Sequence, residues 1–131
     1  MEIQLLHESA KIPNKLYPGS SCYSIYGYRW YILEKGTTET IETKIAIDIP
    51  EGYIGIITLD NRFVEHKGLE LVDGPIIIEP TDHEPIALKI HNTANKRRDI
   101  RLFRPIARFA IIPVIDTEFV QVDEFQPVKR K

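Results

Sequence analysis

The fold of this chain is decided by residues 43–58, which read Thr43-Lys44-Ile45-Ala46-Ile47-Asp48-Ile49-Pro50-Glu51-Gly52-Tyr53-Ile54-Gly55-Ile56-Ile57-Thr58. In the first half, isoleucine alternates with Lys44, Ala46 and Asp48, and a period of two residues is typical of a strand that buries one face. A proline and a glycine follow, and then a short apolar run from Ile54 to Thr58 that is rich in β-branched side chains. The stretch therefore predicts two strands separated by a turn.

Strand signals dominate the rest of the chain as well. Residues 86–91 alternate in the same way, and short apolar runs at 75–78 and 107–114 are bounded by glycine or proline. Helix signals are confined to residues 60–71, which are polar enough for a turn or two but are interrupted by Gly68. Nine prolines and seven glycines punctuate the chain, as is typical of all-β sandwiches and barrels. We predict one all-β domain of short strands.

The composition narrows the class of protein further. The 131 residues are 43% hydrophobic and 27% charged, which fits a globular domain and excludes a disordered tail, a collagen-like rod and a disulfide-rich knot. The single cysteine, Cys22, has no partner for an internal disulfide and is interpreted as a small core residue. The net charge is −2, and no apolar run approaches the length of about 20 residues that spans a bilayer. We expect an intracellular protein of the cytoplasm or nucleus that is not secreted and binds neither membrane nor nucleic acid.

The stretch from Ile49 to Ile56 resembles the Pro-x-Gly-x-x-Gly turn that opens a central strand in dUTP pyrophosphatases, the dUTPase family. Other segments fall into register with that family when the chain is read outward from this turn. Residues 21–27 resemble the family's Ala-Gly-Tyr-Asp-Leu-Tyr-Ala segment, and Gly74-Pro75-Ile76 matches the start of its uracil-binding hairpin. The other matching segments are Ile12-Pro13, Asn92 and residues 106–109. The similarity covers residues 1–122, which we interpret as one dUTPase-like β domain, followed by a short charged tail at 123–131.

This resemblance implies a fold and a reaction. The fold is a distorted antiparallel jelly-roll barrel, typically assembled as a homotrimer with active sites between subunits. In the reaction, a Mg²⁺-bound triphosphate is cut between its α and β phosphates by a water that a carboxylate activates, and a glycine-rich C-terminal arm of a neighbouring subunit closes the site. Such chemistry needs cations or N–H donors for the phosphates, carboxylates for the metal and a base for the water.

The positions that the resemblance assigns to this chemistry hold unsuitable residues. Ser24 replaces the aspartate of the first motif and carries no charge for a metal. Asp60-Asn61-Arg62 stands at the Arg-Ser-Gly motif, so an aspartate, which repels a triphosphate, takes the place of the phosphate-binding arginine. Ile77 replaces the water-activating aspartate and cannot accept a proton.

The last two motifs depart from the family pattern too. Arg104-Pro105 replaces the aspartate-arginine pair of the fourth motif, Arg108 replaces its glutamine, and the glycine-rich arm has no counterpart in residues 123–131. We therefore predict a degenerate, viral member of the family that is catalytically inactive and acts through protein–protein interaction, as in virus–host regulation. We predict no cofactor, with Mg²⁺ needed only if nucleotide hydrolysis survives.

Two other functions stay open. The first is a nucleotide-binding protein without hydrolysis, in which Arg62, Arg104 and Arg108 are the candidates for binding a nucleotide or another anion. The second is a divergent dUTP diphosphatase in which Glu79 or Asp82 has become the catalytic base. The segment 74–92 is longer than the family pattern, which leaves the register of its hairpin open.

Aromatic and basic side chains supply the candidates for contact with a protein partner, since tyrosine, tryptophan and arginine are common anchors of interfaces. Tyr28 and Trp30 lie on one face of a predicted strand, where we favour burial inside the barrel and keep an exposed partner-binding patch as the alternative. Arg97 and Arg98 belong to a basic segment at 96–108. With the tail residues 129–131 this segment could form a basic face, although we favour a solvated loop and a locally paired strand. We also predict that Phe103 and Phe109 are buried in this strand.

The histidines do not predict a metal site. His83 and His91 would face each other across a hairpin, with Asp82 and Glu84 nearby, but this spacing is not diagnostic of a metal ion and no cysteine accompanies it. We interpret them as solvated polar groups.

Overall fold

Short antiparallel strands make up nearly all the regular structure of the chain. The computed structural model describes residues 1–128. Its strands are β1 (Ile3–Leu5), β2 (Asn14–Lys15), β3 (Tyr23–Tyr26), β4 (Tyr31–Leu33), β5 (Thr38–Glu42), β6 (Ile45–Ile47), β7 (Tyr53–Leu59), β8 (Leu69–Leu71), β9 (Ile76–Ile78), β10 (Ala87–Asn92), β11 (Arg98–Ile100) and β12 (Pro105–Pro113). A single 3₁₀ turn, Val64–His66, falls within the segment that was predicted to hold a turn of helix. Over residues 1–128 no helix has the length and apolar character needed to cross a membrane.

The strands form one large sheet and three smaller ones around a shared core. The large sheet has the order β2-β3-β12-β7-β9, and the others are β5-β10-β8, β1-β6 and β4-β11. Strand β12 lies at the centre of the large sheet, where it pairs with β3 on one side and β7 on the other. Their inward-facing side chains form one apolar cluster of mostly isoleucine and leucine. This arrangement confirms the predicted all-β fold.

The turn between β6 and β7 shows why the stretch 43–58 has two glycines in its second half. The backbone N–H of Tyr53 donates to the carbonyl of Pro50 at 3.2 Å, and Gly52 has φ +85°, a conformation that side chains with a Cβ rarely adopt. At Gly55 the constraint is space, because a Cβ there would lie 2.6 Å from the ring of Phe109 on β12. The two glycines therefore fix the turn and the contact between β7 and β12.

The predicted alternation holds in part of this stretch. Strand β6 is shorter than predicted, and Lys44, with φ +58°, lies before it in a turn conformation. Ile45, Ile47 and Ile49 are buried as predicted, but Ala46, expected on the solvent side, is buried as well. In β10 the alternation is complete, since Leu88 and Ile90 are buried and their neighbours Ala87 and Lys89 are exposed.

Two predictions about aromatic residues are wrong. Phe103 is not in a strand: it lies in the turn between β11 and β12 with φ +69° and is 72% exposed, whereas Phe109 is buried as predicted. Tyr28 and Trp30 do not share a strand face either, because β3 ends at Tyr26 and residues 27–30 form the connection to β4. In both places a turn begins where the apolar pattern alone predicts a continuing strand.

The C-terminal segment follows the last strand without regular structure up to residue 128. The N–H of Val114 donates to the carbonyl of Gly52 at 2.9 Å. Beyond it, large apolar side chains are exposed, including those of Ile115, Phe119 and Phe125. The domain boundary at residue 122 stays a prediction, and the basic residues 129–131 lie outside the described part of the chain.

Candidate functional site

A buried carboxylate lies at the C-terminal end of β7. The last residues of this strand pair with β12 through Leu59 and Ala107, and the N–H of Asp60 then donates to the carbonyl of Ile106 at 2.9 Å. This contact turns the side chain of Asp60 inward, where no part of it is exposed to solvent. A buried ionised carboxylate is stable only when it is paired and hydrogen-bonded.

Arg62 supplies that pairing. Its Nε lies 2.9 Å and 3.0 Å from the two carboxylate oxygens of Asp60, and its Nη2 lies 2.6 Å from Oδ2. The backbone N–H of Arg62 donates to Oδ1 at 3.1 Å, which closes a local turn. Burial alone would raise the pKa of Asp60, but these hydrogen bonds and the charges of Arg62 and Arg108 hold that pKa below its ordinary value. Asp60 is thus an aspartate anion with its lone pairs already engaged.

Arg108 lies on β12, between Ser24 of β3 and Thr58 of β7. Its charge is one of the causes that lower the pKa of Asp60, and its position opposite Thr58 puts it two residues along β7 from Asp60. Its Nε is buried and has no hydrogen-bond partner within the described residues. The charges of two guanidinium groups thus act on the Asp60 carboxylate, which accepts its hydrogen bonds from that of Arg62.

Arg104 joins the same region from the turn before β12. Its guanidinium carbon lies 4.1 Å from the centroid of the Phe63 ring, and that of Arg62 lies 5.4 Å from it. Arg104 also pairs with Glu65, and this hydrogen bond lowers the pKa of the Glu65 carboxyl. Arg62 and Arg104 therefore lie against the same aromatic ring, and Arg108, the third arginine that the sequence singled out, lies on strand β12.

His66 is a further member of this cluster that the sequence did not predict. It is 2% exposed, its Nδ1 lies 3.0 Å from the backbone oxygen of Asp60, and its ring packs edge-on against Phe63. The Nε2 atom is buried and has no partner in residues 1–128. The spacing of six residues from Asp60 carried no signal, because the contact depends on the 3₁₀ turn between them.

The two other positions assigned by resemblance offer no ionisable group. Ser24 is buried on β3. Ile77 lies on β9 opposite Ile56 and is 54% exposed, an unusual environment for an isoleucine. An open cleft of about 390 Å³ lies beside the start of β9 and is lined by Thr58, Leu59, Asn61, Leu69, Glu70, Leu71, Gly74 and Pro75. Two of its lining residues, Gly74 and Pro75, belong to the segment where the resemblance begins a uracil-binding hairpin.

Glu79 and Asp82 lie at the other end of β7. Ile78 pairs with Gly55, near the beginning of β7, whereas Asp60 follows its last residue. At about 3.3 Å per residue the strand separates Glu79 from Asp60 by roughly 20 Å. The Oδ1 atom of Asp82 accepts a hydrogen bond from the N–H of Glu84 at 3.0 Å. Within one chain, these carboxylates and the arginine cluster are not brought together.

The partner-binding candidates occupy the β4-β11 ribbon and its approach. Trp30 is 49% exposed, and the guanidinium of Arg101 lies 4.9 Å from its ring, while the half-buried Tyr28 packs against His7. Arg97 pairs with Asp99 at 3.0 Å, and Arg98 donates to the backbone oxygen of Lys67. Because neighbouring arginines have different partners here, the segment 96–108 does not present one uniformly basic face.

The histidines singled out by the sequence have separate contacts. His83 Nε2 lies 2.8 Å from Asp48, and His91 Nδ1 lies 2.7 Å from the Thr38 hydroxyl. Among the described residues, no group of three or more histidine, cysteine, aspartate or glutamate side chains is arranged to hold a metal ion. Cys22 is a free, half-buried thiol.

Comparison with known proteins defines the class. The model of the dUTPase family matches residues 8–131. The dUTPase of Staphylococcus bacteriophage 80alpha superposes with a TM-score of 0.83 at 22% identity, covering 96% of this chain and 97% of that one. The chain therefore belongs to the dUTPase family, and its fold is the dUTPase fold.

Bacterial enzymes are similar over most of the same length. The chain is 24% identical to the deoxyuridine 5'-triphosphate nucleotidohydrolase of Tropheryma whipplei strain Twist, over 94% of this chain and 85% of that protein. It is 27% identical to the corresponding protein of Thermobifida fusca, over 99% of this chain and 73% of that protein. The resemblance drawn from the sequence is confirmed.

Proposed function

We propose that this protein is a dUTPase-family member that does not hydrolyse nucleotides and acts by binding a protein partner. The observation that carries the proposal is the pairing of Asp60 with Arg62, at the positions where the family has its phosphate-binding motif. Both charges are directed at each other through three side-chain contacts of 2.6–3.0 Å. An arginine held in this way is a poor ligand for the phosphates of a substrate.

The absence of a positioned base supports the same proposal. A general base must reach the attacking water within hydrogen-bond distance. The side chain of Ile77 has no atom that can accept the proton of the water. Asp60 is buried, and its carboxylate oxygens already accept hydrogen bonds from Arg62. The length of β7 separates Glu79 and Asp82 from the arginines at its far end in the same chain. As substitute bases they would therefore have to act on a substrate held by the arginines of a different subunit.

The residues present do not fit a catalytic Mg²⁺ ion. This ion takes carboxylate and water oxygens in a near-octahedral shell. Ser24 offers a buried hydroxyl in place of a carboxylate, and the oxygens of Asp60 are engaged by Arg62. The dUTPase of phage phi11 is described with a structural Mg(II) ion, but no step of the proposed function uses this metal.

The protein–protein part of the proposal rests on the exposed ribbon and on a relative. Trp30 and Arg101 present an aromatic ring and a guanidinium outward, the side-chain types that anchor interfaces. The 80alpha dUTPase is described as one of the phage dUTPases that control the transfer of virulence genes by a proto-oncogenic G protein-like mechanism. We therefore propose for this chain a regulatory role as a virus-encoded protein, a role compatible with the dUTPase fold. We also propose a homotrimer, the typical assembly of the family.

A second candidate function is nucleotide binding without hydrolysis. It is favoured by the position of Arg62 and Arg104 against Phe63 and by the charge that Arg108 exerts on Asp60. A nucleotide that binds the folded state raises the melting temperature by mass action. A panel of nucleotides at millimolar concentration separates this candidate from the first, which expects no shift.

The direct test is dUTP turnover with excess Mg²⁺, with the Thermobifida fusca enzyme as the positive control. We expect no turnover above the rate without protein. If turnover is found, the variant Glu79→Gln/Asp82→Asn decides the remaining alternative. Loss of activity in that variant would establish a divergent dUTP diphosphatase with one of these carboxylates as its base.

A further inference from the structure

We propose that the outer face of the β4-β11 ribbon binds an extended acidic peptide of a protein partner. The face carries an exposed aromatic ring, that of Trp30, an exposed aliphatic side chain, that of Ile32, and two arginines, Arg29 and Arg101. This inference rests on the proposed function, because it names the chemistry of the partner that the protein would bind.

Two large apolar side chains point outward from the ribbon. In β4, Tyr31 and Leu33 are buried, whereas Ile32 between them is 48% exposed. Trp30, just before the strand, is 49% exposed. Two residues along a strand correspond to about 7 Å, so the two outward side chains are neighbours on one face. An exposed tryptophan beside an exposed isoleucine is typical of the apolar centre of an interface.

Two cations accompany the indole ring. The guanidinium of Arg101 lies 4.9 Å from the centroid of the Trp30 ring, and Nη1 of Arg29 donates to the backbone oxygen of Trp30 at 2.8 Å. Both arginines are exposed, and neither forms an ion pair with a carboxylate of residues 1–128. Because each guanidinium has N–H donors left for a ligand, this end of the face favours carboxylates next to an apolar group.

The rest of the face carries negative charge. Asp99 on β11 lies opposite Ile32 and pairs with Arg97 at 3.0 Å, and the exposed Glu34 follows β4. A nucleic acid has a phosphate at every nucleotide, so these carboxylates would repel a strand that follows the face. A peptide can place its own carboxylates beside Trp30 and an apolar side chain over Ile32. In an extended peptide, side chains on one face recur at the same spacing of about 7 Å.

Fluorescent peptides of defined sequence test the proposal on the 131-residue protein. The probe is acetylated and amidated Thr-Glu-Thr-Glu-Thr-Leu-Thr-Leu, which has its glutamates and leucines on one face when extended. One matched peptide has glutamine for both glutamates, and another has serine for both leucines. The variants are Arg29→Gln/Arg101→Gln and Trp30→Ser. The control Lys15→Gln/Lys89→Gln removes two exposed charges from other strands. Fluorescence anisotropy measures the dissociation constants.

We expect the wild type to bind the glutamate peptide at least about 10-fold more tightly than the glutamine peptide, the ratio that one charge-assisted hydrogen bond provides. Arg29→Gln/Arg101→Gln should bind the two peptides equally, because it lacks the guanidinium groups that distinguish them. Trp30→Ser, or serine in place of the leucines, should weaken binding about 10-fold. The lysine control should bind as the wild type does, and added salt should reduce the preference for glutamate.

The proposal is overturned if the glutamate peptide shows no saturable binding up to millimolar concentration, or if the double arginine variant keeps the preference for glutamate. Tighter binding of an oligothymidylate of eight nucleotides would assign the face to single-stranded nucleic acid instead. A change of oligomeric state in Trp30→Ser, measured by light scattering, would assign it to a second copy of this chain.

Turnover of dUTP by the wild type would reject the proposed function and not the peptide site. The two failures are distinguishable because one is read from product formation and the other from a binding constant.

Discussion

The two ends of β7 differ in how closely they follow the pattern of the dUTPase family. At its beginning, Pro50, Gly52 and Gly55 hold the turn and the close contact with Phe109. At its end, where the resemblance assigns a phosphate-binding motif, Asp60 and Arg62 form an ion pair. Backbone constraints thus shape the beginning of this strand, whereas an internal ion pair engages the charged residues that follow its end. The turn and the contact with β12 that define the beginning of β7 therefore do not require a free arginine after its end.

Removal of Arg62 should have the largest effect on stability, because it leaves a charged carboxylate buried without its main partner. We expect Arg62→Met to lower the free energy of unfolding by about 2–4 kcal/mol, somewhat less than for a fully buried pair because Arg62 is partly exposed to solvent. Urea denaturation measures this effect. The matched variant Arg97→Met, which breaks the exposed pair with Asp99, should leave the denaturation midpoint nearly unchanged. Equal shifts in the two variants would show that the Asp60 pair has no special role.

Among substitutions at the other end of β7, Gly55→Ala should be the most damaging, with an effect second to that of Arg62→Met. The new methyl group would lie 2.6 Å from the Phe109 ring, which is held in the core and cannot move away freely. Such overpacking costs about 2–3 kcal/mol. Adding Phe109→Leu should recover part of that loss, so a double-mutant cycle in urea is the measurement. A cycle with no coupling energy would mean that the contact between β7 and β12 tolerates a side chain at this position.

A smaller effect is expected at the turn itself. Gly52→Ala places a Cβ in a left-handed conformation, with φ +85°, at a cost of about 1 kcal/mol. The melting temperature should fall accordingly, whereas Glu51→Ala at the neighbouring exposed position should leave it unchanged. If both variants have the melting temperature of the wild type, the turn can adopt a backbone conformation that does not need glycine at position 52.

The smallest effect within an accessible range is the pH dependence of the Asp60 pair. The pKa of Asp60 is lowered in the folded protein from its ordinary value of 3.8. Its contribution to stability is therefore fully present above that value and is lost as the pH falls through the lower folded pKa. Between pH 7 and pH 4 only the beginning of this loss is visible. The stability difference between the wild type and Asp60→Asn should narrow below about pH 4. A constant difference down to pH 3 would show that the charge of Asp60 does not contribute.

Much of the fold could be predicted from the sequence, because the signals are local. Alternation of apolar and polar residues identified β10, and the proline and glycine around residues 50–55 identified the turn before β7. The prediction failed for Phe103 because a residue with positive φ ends the strand there, and an apolar side chain gives no sign of that conformation. The burial of Ala46 was missed because β6 is covered on both of its faces.

The site was only partly predictable. The departures at Ser24, Asp60 and Ile77 could be identified by position, and the three arginines were chosen for their charge. The proximity of Arg62 and Arg104 could not be predicted, since it joins a residue that follows β7 to one in the turn before β12. The mutual pairing of Asp60 and Arg62 had a local signal, because an aspartate two residues before an arginine can close a turn on its backbone N–H.

One measurement tests the central claim most directly: the rate of dUTP disappearance with excess Mg²⁺, followed to completion with the wild-type protein at high concentration. We predict a rate equal to that of the buffer alone, because Arg62 is held by Asp60 and the position that the resemblance assigns to the water-activating base holds Ile77. Turnover that scales with the concentration of this protein, and that Glu79→Gln/Asp82→Asn removes, would contradict it. In that case the dUTPase reaction has survived in this fold with a different base.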